Sequence, residues 1–205
     1  MKLEDIWGYY NKVIGIGSSC QTAHQLKENK LREFSGPLDW FVMDDLSKLN
    51  LLLENKFDDL MSQENIIDEG LHDESHRKIR DIKYDCLSVH DFTVESSWQT
   101  QYIQFKEQMN RRVKRFYDEI EKSHSVLFVR AQAYERSEII RLCKNLSEIQ
   151  LNYKLLIVNY TVEQRVIDIN CDIDNVAMVQ IPSPENRWQG SDEAWKYILS
   201  GVRLA

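Results

Sequence analysis

The stretch Lys12-Val-Ile-Gly-Ile-Gly-Ser-Ser-Cys20 holds the pattern that decides the fold. Its first part is a short apolar, β-branched run that ends in glycine, which predicts a β-strand. Helix-forming residues follow directly at 20–29, and Ser18 or Ser19 is suited to cap their first turn. The stretch therefore predicts a strand, a glycine-containing turn and a helix.

Strands and helices alternate along the rest of the chain. Apolar runs that predict further strands lie at 84–89, 125–129, 154–158 and 176–181. Apolar residues at helical spacing lie at 46–53, 105–120, 135–149 and 195–202, and Ser191 is suited to cap the last of these helices. Helices of this length between strands favour an α/β fold with a mostly parallel sheet and helices on both faces, a three-layer arrangement.

The composition fits a single domain over residues 1–205. The 205 residues are 42% hydrophobic, which is enough to form a substantial core. Only 7 Gly and 3 Pro are present, so few places remain for a linker. Residues 62–80 are polar and irregular, and we expect them to form a surface excursion from this domain.

Charge and hydropathy exclude several classes of partner. The net charge is −7 and the sequence pI is about 5.3, so we expect no nucleic-acid partner and no attraction to anionic membranes. No apolar run approaches the ~18 residues of a membrane helix, and the first residues do not resemble a secretory signal. Four widely spaced cysteines, none in a C-x-x-C pair, fit a reducing compartment. The chain is therefore predicted to be cytoplasmic.

Polar residues follow four of the predicted strands. They are Ser18-Ser19-Cys20, His90-Asp91, Arg130 and Asn159. In open α/β sheets, ligands bind beyond the carboxyl ends of the strands. We therefore expect a nucleophile, a base, a cation and an amide to share one edge of the sheet, although any strand must also end in something polar.

Cys20 is the strongest single candidate for catalysis. The thiolate is the reactive form of cysteine, and the amino end of a helix is expected to lower the pKa of the thiol. Backbone N–H groups near Ser19 and Cys20 are suited to stabilise an oxyanion. The alternative is that Cys20 is a small buried apolar residue at the start of a helix.

His90 is the natural partner of this nucleophile, because a cysteine needs a general base and the base needs an orienting group. Asp39 and Asn159 are the candidates for that orienting group. Arg130 is a candidate for stabilising negative charge. Arg112 lies within the apolar stripe of its helix, so we expect it to point inward and to pair with a buried carboxylate or a substrate anion.

Two sequence patterns come close to known cofactor or metal motifs, but neither is complete. His72 and His76 lie four residues apart, but the segment is not an H-E-x-x-H motif and does not supply three ligands. Gly15 and Gly17 lack the third glycine of a dinucleotide-binding fingerprint. We therefore predict neither a metal site nor a cofactor.

Several motifs together resemble a known family. They are Ile14-Gly-Ile-Gly-Ser-Ser-Cys20, Ser35-Gly-Pro-Leu-Asp-Trp40, Lys56-Phe-Asp-Asp59, Val89-His-Asp-Phe92, Arg111-Arg-Val-Lys-Arg-Phe116 and Leu127-Phe-Val-Arg130. In this order they resemble the bacterial DUF1796 family, whose members are described as papain-like cysteine peptidases. The resemblance implies a nucleophile at Cys20 and a histidine partner at His90, and Asp39 and Arg130 also match its motifs.

The resemblance leaves two expectations for the fold. The order of cysteine and histidine along the chain is similar to papain, which implies a papain-like α+β fold. The alternating strands and helices are instead similar to the Rossmann-like and SGNH-like folds of lipase-like esterases, and this is the fold that we expect.

The leading functional hypothesis is a cysteine-dependent hydrolase or acyltransferase. Its substrate would be a small molecule or peptide with an amide, ester or thioester bond. The alternative is a non-catalytic binding module for an anionic sugar, a phosphate or a protein partner, with Arg112 and Arg130 holding the anion.

Overall fold

The computed structural model describes residues 1–184 and 187–205. After a 3₁₀ helix at Leu3–Ile6, the helices are α1 (Cys20–Glu28), α2 (Leu46–Glu54), α3 (Trp98–Glu121), α4 (Arg136–Ile149) and α5 (Asp192–Ile198). The strands are β1 (Gly8–Tyr10), β2 (Lys12–Gly15), β3 (Phe41–Val42), β4 (Ile66–Leu71), β5 (Arg77–Asp81), β6 (Cys86–Ser88), β7 (Val126–Ala131), β8 (Tyr153–Thr161), β9 (Ile167–Ile169), β10 (Val176–Pro182) and β11 (Val202–Leu204). The prediction of a mixed α/β fold is confirmed.

The main sheet has five strands in the order β2-β7-β8-β10-β9. Its first four strands are parallel, and β9 pairs with β10 in the antiparallel sense at the edge. β2, β7, β8 and β10 coincide with four of the predicted strands. A separate pair of parallel strands, β1 and β11, brings the two ends of the chain together.

The main sheet separates two hydrophobic cores. Val126 and Phe128 of β7 enter the core that also contains the apolar faces of α2, α3 and α4. Leu127 and Val129 enter the opposite core, which contains Trp195 of α5. Because side chains alternate along a strand, a strand buried on both sides needs packing on both faces of its sheet.

A second, antiparallel sheet of four strands in the order β3-β6-β5-β4 corrects two expectations. Residues 62–80 were expected to be irregular, but most of them form the hairpin of β4 and β5. The run at 84–89 was expected to belong to the parallel sheet, but it forms β6, which pairs with β5. Only residues 82–85 separate β5 from β6, and so short a connection joins antiparallel neighbours, since a parallel pair needs a crossover of about a dozen residues.

Helices form in all the predicted regions, but the last one is shorter than expected. α5 ends at Ile198, and Val202, which was expected on its apolar face, belongs to β11 because Gly201 disfavours a continued helix. Ser19, Asp45 and Ser191 each accept a hydrogen bond from a first-turn amide of α1, α2 and α5 respectively. In the described part of the chain, no helix is both long and apolar enough to cross a membrane.

Candidate functional site

Cys20 and His90 line one pocket of about 440 Å³. Cys20 comes from the first turn of α1, which follows β2, and His90 comes from the loop after β6. The two sheets therefore each contribute one of the two residues. The full lining consists of Ser19, Cys20, Gln21, Val42, His72, Asp73, Val89, His90 and Trp188.

The turn that presents Cys20 is sharp. Gly17 and Ser18 both have left-handed backbone conformations, with φ of +82° and +72°. At position 17 a Cβ atom would also lie 3.2 Å from Nη1 of Arg130, so glycine suits this place on two counts. Ser18 has a Cβ atom, so the left-handed conformation costs it about 1 kcal/mol. The turn is therefore held by its surroundings rather than by local preference.

The Cys20 thiol is protonated at neutral pH in this structure. The residue is only 7% exposed, and burial raises the pKa of its thiol to about 11, with the negative charges of Asp91 and Asp39 adding to the effect. A hydrogen bond from its own backbone N–H acts in the opposite direction. The expectation of a lowered pKa is therefore wrong, because desolvation outweighs the effect of the helix end.

His90 is surrounded by aromatic rings. The ring centroids of Trp40, His72 and His76 each lie 6.0 Å from that of His90, at interplanar angles of 81–88°. Partial burial lowers the pKa of His90, and the nearby His72 and His76 lower it further. The imidazole is therefore neutral at pH 7 and able to accept a proton. Within the described residues, no hydrogen bond joins it to the Cys20 sulfur.

Asp39 is connected to His90 only through other side chains. Its Oδ2 accepts hydrogen bonds from Nε of Arg32 at 2.7 Å and from the amide of Gly36 at 2.8 Å. The guanidinium of Arg32 in turn lies 5.7 Å from the ring centre of Trp40, whose ring is edge-on to His90. Asp39 thus fixes the turn that places Trp40 beside His90.

Arg130 and Asn159 make their hydrogen bonds to backbone groups rather than in the pocket, and among the described residues Nε of Arg130 has no hydrogen-bond partner. Arg130 is wholly buried and donates to the carbonyl oxygens of Ile16 at 3.1 Å and Met43 at 2.7 Å. Asn159 accepts from the amide of Ala133 and donates to its carbonyl, both at 2.9 Å. Neither residue lines the pocket.

Arg112 faces a buried carboxylate. Its Nη1 lies 3.9 Å from Oδ1 of Asp91, and both side chains are nearly buried. The other oxygen of Asp91 accepts from the hydroxyl of Ser88 at 2.7 Å. Of the two partners expected for Arg112, a carboxylate or a substrate anion, the structure provides the carboxylate.

His72 and Asp73 also line the pocket, which was not expected from the sequence. They lie at the tip of the β4–β5 hairpin, where Asp73 accepts from the amides of Ser75 and His76 and lies 3.2 Å from Nδ1 of His76. The available signal was the pair of histidines four residues apart, which was weighed only as a metal site. Among residues 1–184 and 187–205, no group of three or more potential ligands is arranged to hold a metal ion.

Trp188 is a second unforeseen part of the pocket. It is 55% exposed, and its carbonyl accepts a hydrogen bond from Nε2 of Gln21 at 2.9 Å. Oε1 of Gln21 accepts from the indole of Trp195 at 3.2 Å, so a buried side chain of α1 ties Trp188 to α5. The available signal was the pair of glutamines in α1, Gln21 and Gln25, which are buried and therefore need polar partners from another segment.

A family model described as "Putative papain-like cysteine peptidase (DUF1796)" matches residues 11–163. The chain belongs to this family. The matched residues include Cys20, Asp39 and His90, whereas Trp188 lies beyond them. The resemblance seen in the sequence motifs is therefore confirmed at the level of the family.

One relative is a viral protein. The chain is 25% identical to "Uncharacterized protein R408" of Acanthamoeba polyphaga mimivirus over an alignment 229 residues long. The alignment covers 91% of this chain and 96% of the viral protein. No solved structure matches the chain significantly.

Proposed function

We propose that the protein is a cysteine-dependent hydrolase or acyltransferase that acts on an amide, ester or thioester. The observation that carries this proposal is the shared pocket, in which the first residue of α1 is a cysteine and a neutral histidine lies in the same lining. Membership of a family described as papain-like cysteine peptidases supports the same reaction class.

The protonation states favour general-base catalysis over a preformed ion pair. The thiol of Cys20 and the imidazole of His90 are both neutral at pH 7. His90 accepts the thiol proton as the sulfur attacks the carbonyl carbon, and it then gives that proton to the leaving group. Water, or an acceptor nucleophile in an acyltransferase, then attacks the thioester, and His90 takes its proton and returns it to the sulfur as the acyl group leaves.

The amino end of α1 is suited to stabilise the oxyanion. First-turn amides of a helix have no acceptor within the helix, and those near Ser19 and Cys20 adjoin the pocket. In this proposal Arg130 acts indirectly, because it fixes the turn before Cys20 through the carbonyl oxygen of Ile16. Asp39 likewise positions His90 through Arg32 and Trp40.

The pocket suits one acyl group of moderate size. A volume of about 440 Å³ lies within the range of small-molecule sites. Val42, Val89 and Trp188 supply apolar surface to the pocket, whereas His72, Asp73 and His90 supply polar groups. We therefore propose a small-molecule or peptide substrate with an apolar acyl or side-chain group.

The proposal also includes the layer arrangement of the fold and the cellular compartment. We propose that the two packed faces of the main sheet form the three-layer, Rossmann-like or SGNH-like arrangement expected from the sequence, since α2, α3 and α4 share one core and α5 belongs to the other. All four cysteines are free thiols, which supports a cytoplasmic location.

Trapping the acyl-enzyme tests the chemistry without knowledge of the natural substrate. The protein is incubated with p-nitrophenyl esters, aryl thioesters and peptide p-nitroanilides, and the acylated residue is identified by mass spectrometry of peptides. We expect acylation at Cys20 with release of the chromophore. It should be lost in Cys20→Ala and reduced roughly 100-fold or more in His90→Ala.

Matched controls separate the site from general nucleophilicity. Cys143→Ala removes a partly buried cysteine, and His124→Ala removes an exposed histidine, both outside the pocket lining. Both variants should retain full acylation. If every substrate class leaves Cys20 unmodified, or if Cys20→Ala keeps full turnover, the proposal is wrong.

The alternative of an anion-binding module at the same site has less support. It needed Arg130 at the amino end of α1, but this side chain is wholly buried and donates to carbonyl oxygens. An anion in the Cys20 pocket would therefore not reach its guanidinium.

A further inference from the structure

A second pocket lies against α3 and shares no lining residue with the Cys20 pocket. Its volume is about 200 Å³. The lining consists of Ser35, Gln108, Arg111, Arg112 and Arg115. Every one of these side chains has a hydrogen-bond donor, and none is a carboxylate.

The helix places these residues together. Residues three and four apart are neighbours on a helix surface, so Gln108, Arg111, Arg112 and Arg115 form one side of the pocket. Ser35 approaches from the loop after α1, and its hydroxyl oxygen accepts a hydrogen bond from Nη2 of Arg32 at 2.8 Å. Since that oxygen is the acceptor, the hydroxyl hydrogen remains available to donate.

The protein itself compensates the positive charge of the pocket only in part. Arg111 lies 3.9 Å from Glu107, and both side chains are about two-thirds exposed, so this pair stabilises little. Arg112 is nearly buried and pairs with Asp91 at 3.9 Å, so its charge is offset, but this distance leaves its guanidinium hydrogens free of a hydrogen bond to Asp91. Arg115 forms no ion pair with any residue in the described part of the chain. Three guanidinium groups therefore converge in a protein whose net charge is −7.

We propose that this pocket binds a phosphate group, either as free phosphate or as a small phosphate monoester. The forked guanidinium matches phosphate oxygens in pairs, and Ser35 and Gln108 add neutral donors. The volume is smaller than the pockets of drug-sized ligands, so it suits a single anionic group rather than a large cofactor. The proposal is independent of the chemistry at Cys20.

Calorimetric titration of the full chain with inorganic phosphate and, separately, with methyl phosphate tests the site. Arg111→Gln and Arg115→Gln each remove one exposed guanidinium and should weaken binding roughly tenfold, and the double variant should abolish it. Lys114→Gln is the matched control, because it removes one positive charge from the same helix outside the pocket lining. It should change the affinity less than twofold.

The two ligands distinguish the source of the phosphate. Saturable binding of both indicates a site that accepts monoesters, and binding of inorganic phosphate alone indicates a free-phosphate site. The proposal is overturned if neither ligand binds saturably at millimolar concentration. It is also overturned if Lys114→Gln weakens binding as much as Arg115→Gln does, since the attraction would then be to general charge.

Discussion

Arg130 donates a hydrogen bond from Nη2 to the carbonyl oxygen of Met43 at 2.7 Å, across 87 residues of sequence. The amide of Met43 in turn donates to the carbonyl oxygen of Ser18 at 2.9 Å. Because Arg130 also binds the carbonyl of Ile16, it joins the turn before Cys20 to the segment that leads to α2. The guanidinium is thus a structural clamp on the turn of the nucleophile.

Replacement of this clamp should destabilise the fold. Arg130→Met keeps much of the side-chain volume but leaves the carbonyl oxygens of Ile16 and Met43 without a donor, and we expect a loss of about 3 kcal/mol in the free energy of unfolding. Urea denaturation followed by circular dichroism measures this loss. The exposed Arg165→Met is the control and should change stability by less than about 0.5 kcal/mol. An Arg130→Met variant as stable as the wild type would contradict the clamp.

The main sheet could be predicted from the sequence because its strands are short apolar runs between long amphipathic helices. β7 and β8 belong to this class, and both were located within a few residues. The antiparallel sheet was missed because its β4 and β5 are rich in charged residues, which hides the alternation on their buried side. The pairing of β5 with β6 depends on the short turn at 82–85, and such a turn leaves no periodic pattern in the sequence.

The sequence allowed two residues of the candidate site to be predicted, but not the contacts that the surrounding side chains make. Cys20 and His90 were identified from residue type and position, and both line one pocket. Arg130 was expected to stabilise charge there, yet it is buried behind the turn. Whether an arginine reaches a pocket or a carbonyl oxygen depends on three-dimensional packing that no local pattern encodes.

The carboxylate of Asp39 should stabilise the protein through its hydrogen bonds. In Asp39→Ala, Arg32 and the amide of Gly36 lose their buried acceptor, and we expect a loss of about 3 kcal/mol. Asp39→Asn retains an acceptor oxygen and should lose roughly half as much. Thermal and urea unfolding of the pair compare the two effects. Equal losses in both variants would show that the charge, rather than the acceptor, is what matters.

The resting thiol of Cys20 should be slow to alkylate. Its pKa of about 11 lies about 2 units above the ordinary value, so at pH 7.5 the thiolate fraction is about 100-fold lower than that of an ordinary cysteine. Iodoacetamide labelling followed by peptide mass spectrometry should therefore show a rate that keeps rising above pH 9. Labelling faster than free cysteine at pH 7.5 would contradict the raised pKa and favour a preformed ion pair.

The two histidines of the β4–β5 hairpin should contribute to the lowered pKa of His90. Burial is the largest cause of the lowered pKa of His90, and the charges of His72 and His76 lower it further, so His72→Ala or His76→Ala should raise the pKa part of the way towards the ordinary value of 6.5. Because the pKa of His90 is lowered in the wild type, the imidazole stays neutral to a lower pH than an ordinary histidine does. Activity that depends on His90 as a base should therefore persist below pH 6.5. Titration of the imidazole signals by NMR measures this, with His124→Ala as the control. An unchanged His90 pKa in both hairpin variants would rule out this coupling.

Gly190 should be required for the position of Trp188 at the pocket. Its φ is +78°, and a Cβ atom there would lie 2.7 Å from Nε2 of Gln21, the atom that donates to the carbonyl of Trp188. Gly70 is the matched control, since its φ is +96° and an added Cβ would meet nothing within 4 Å.

Gly70→Ala should cost about 1 kcal/mol through backbone conformation alone. Gly190→Ala should cost at least about 1 kcal/mol more, through crowding. It should also reduce acylation by substrates with apolar acyl groups, and equal costs in the two variants would show that Gln21 yields without disturbing the Trp188 segment.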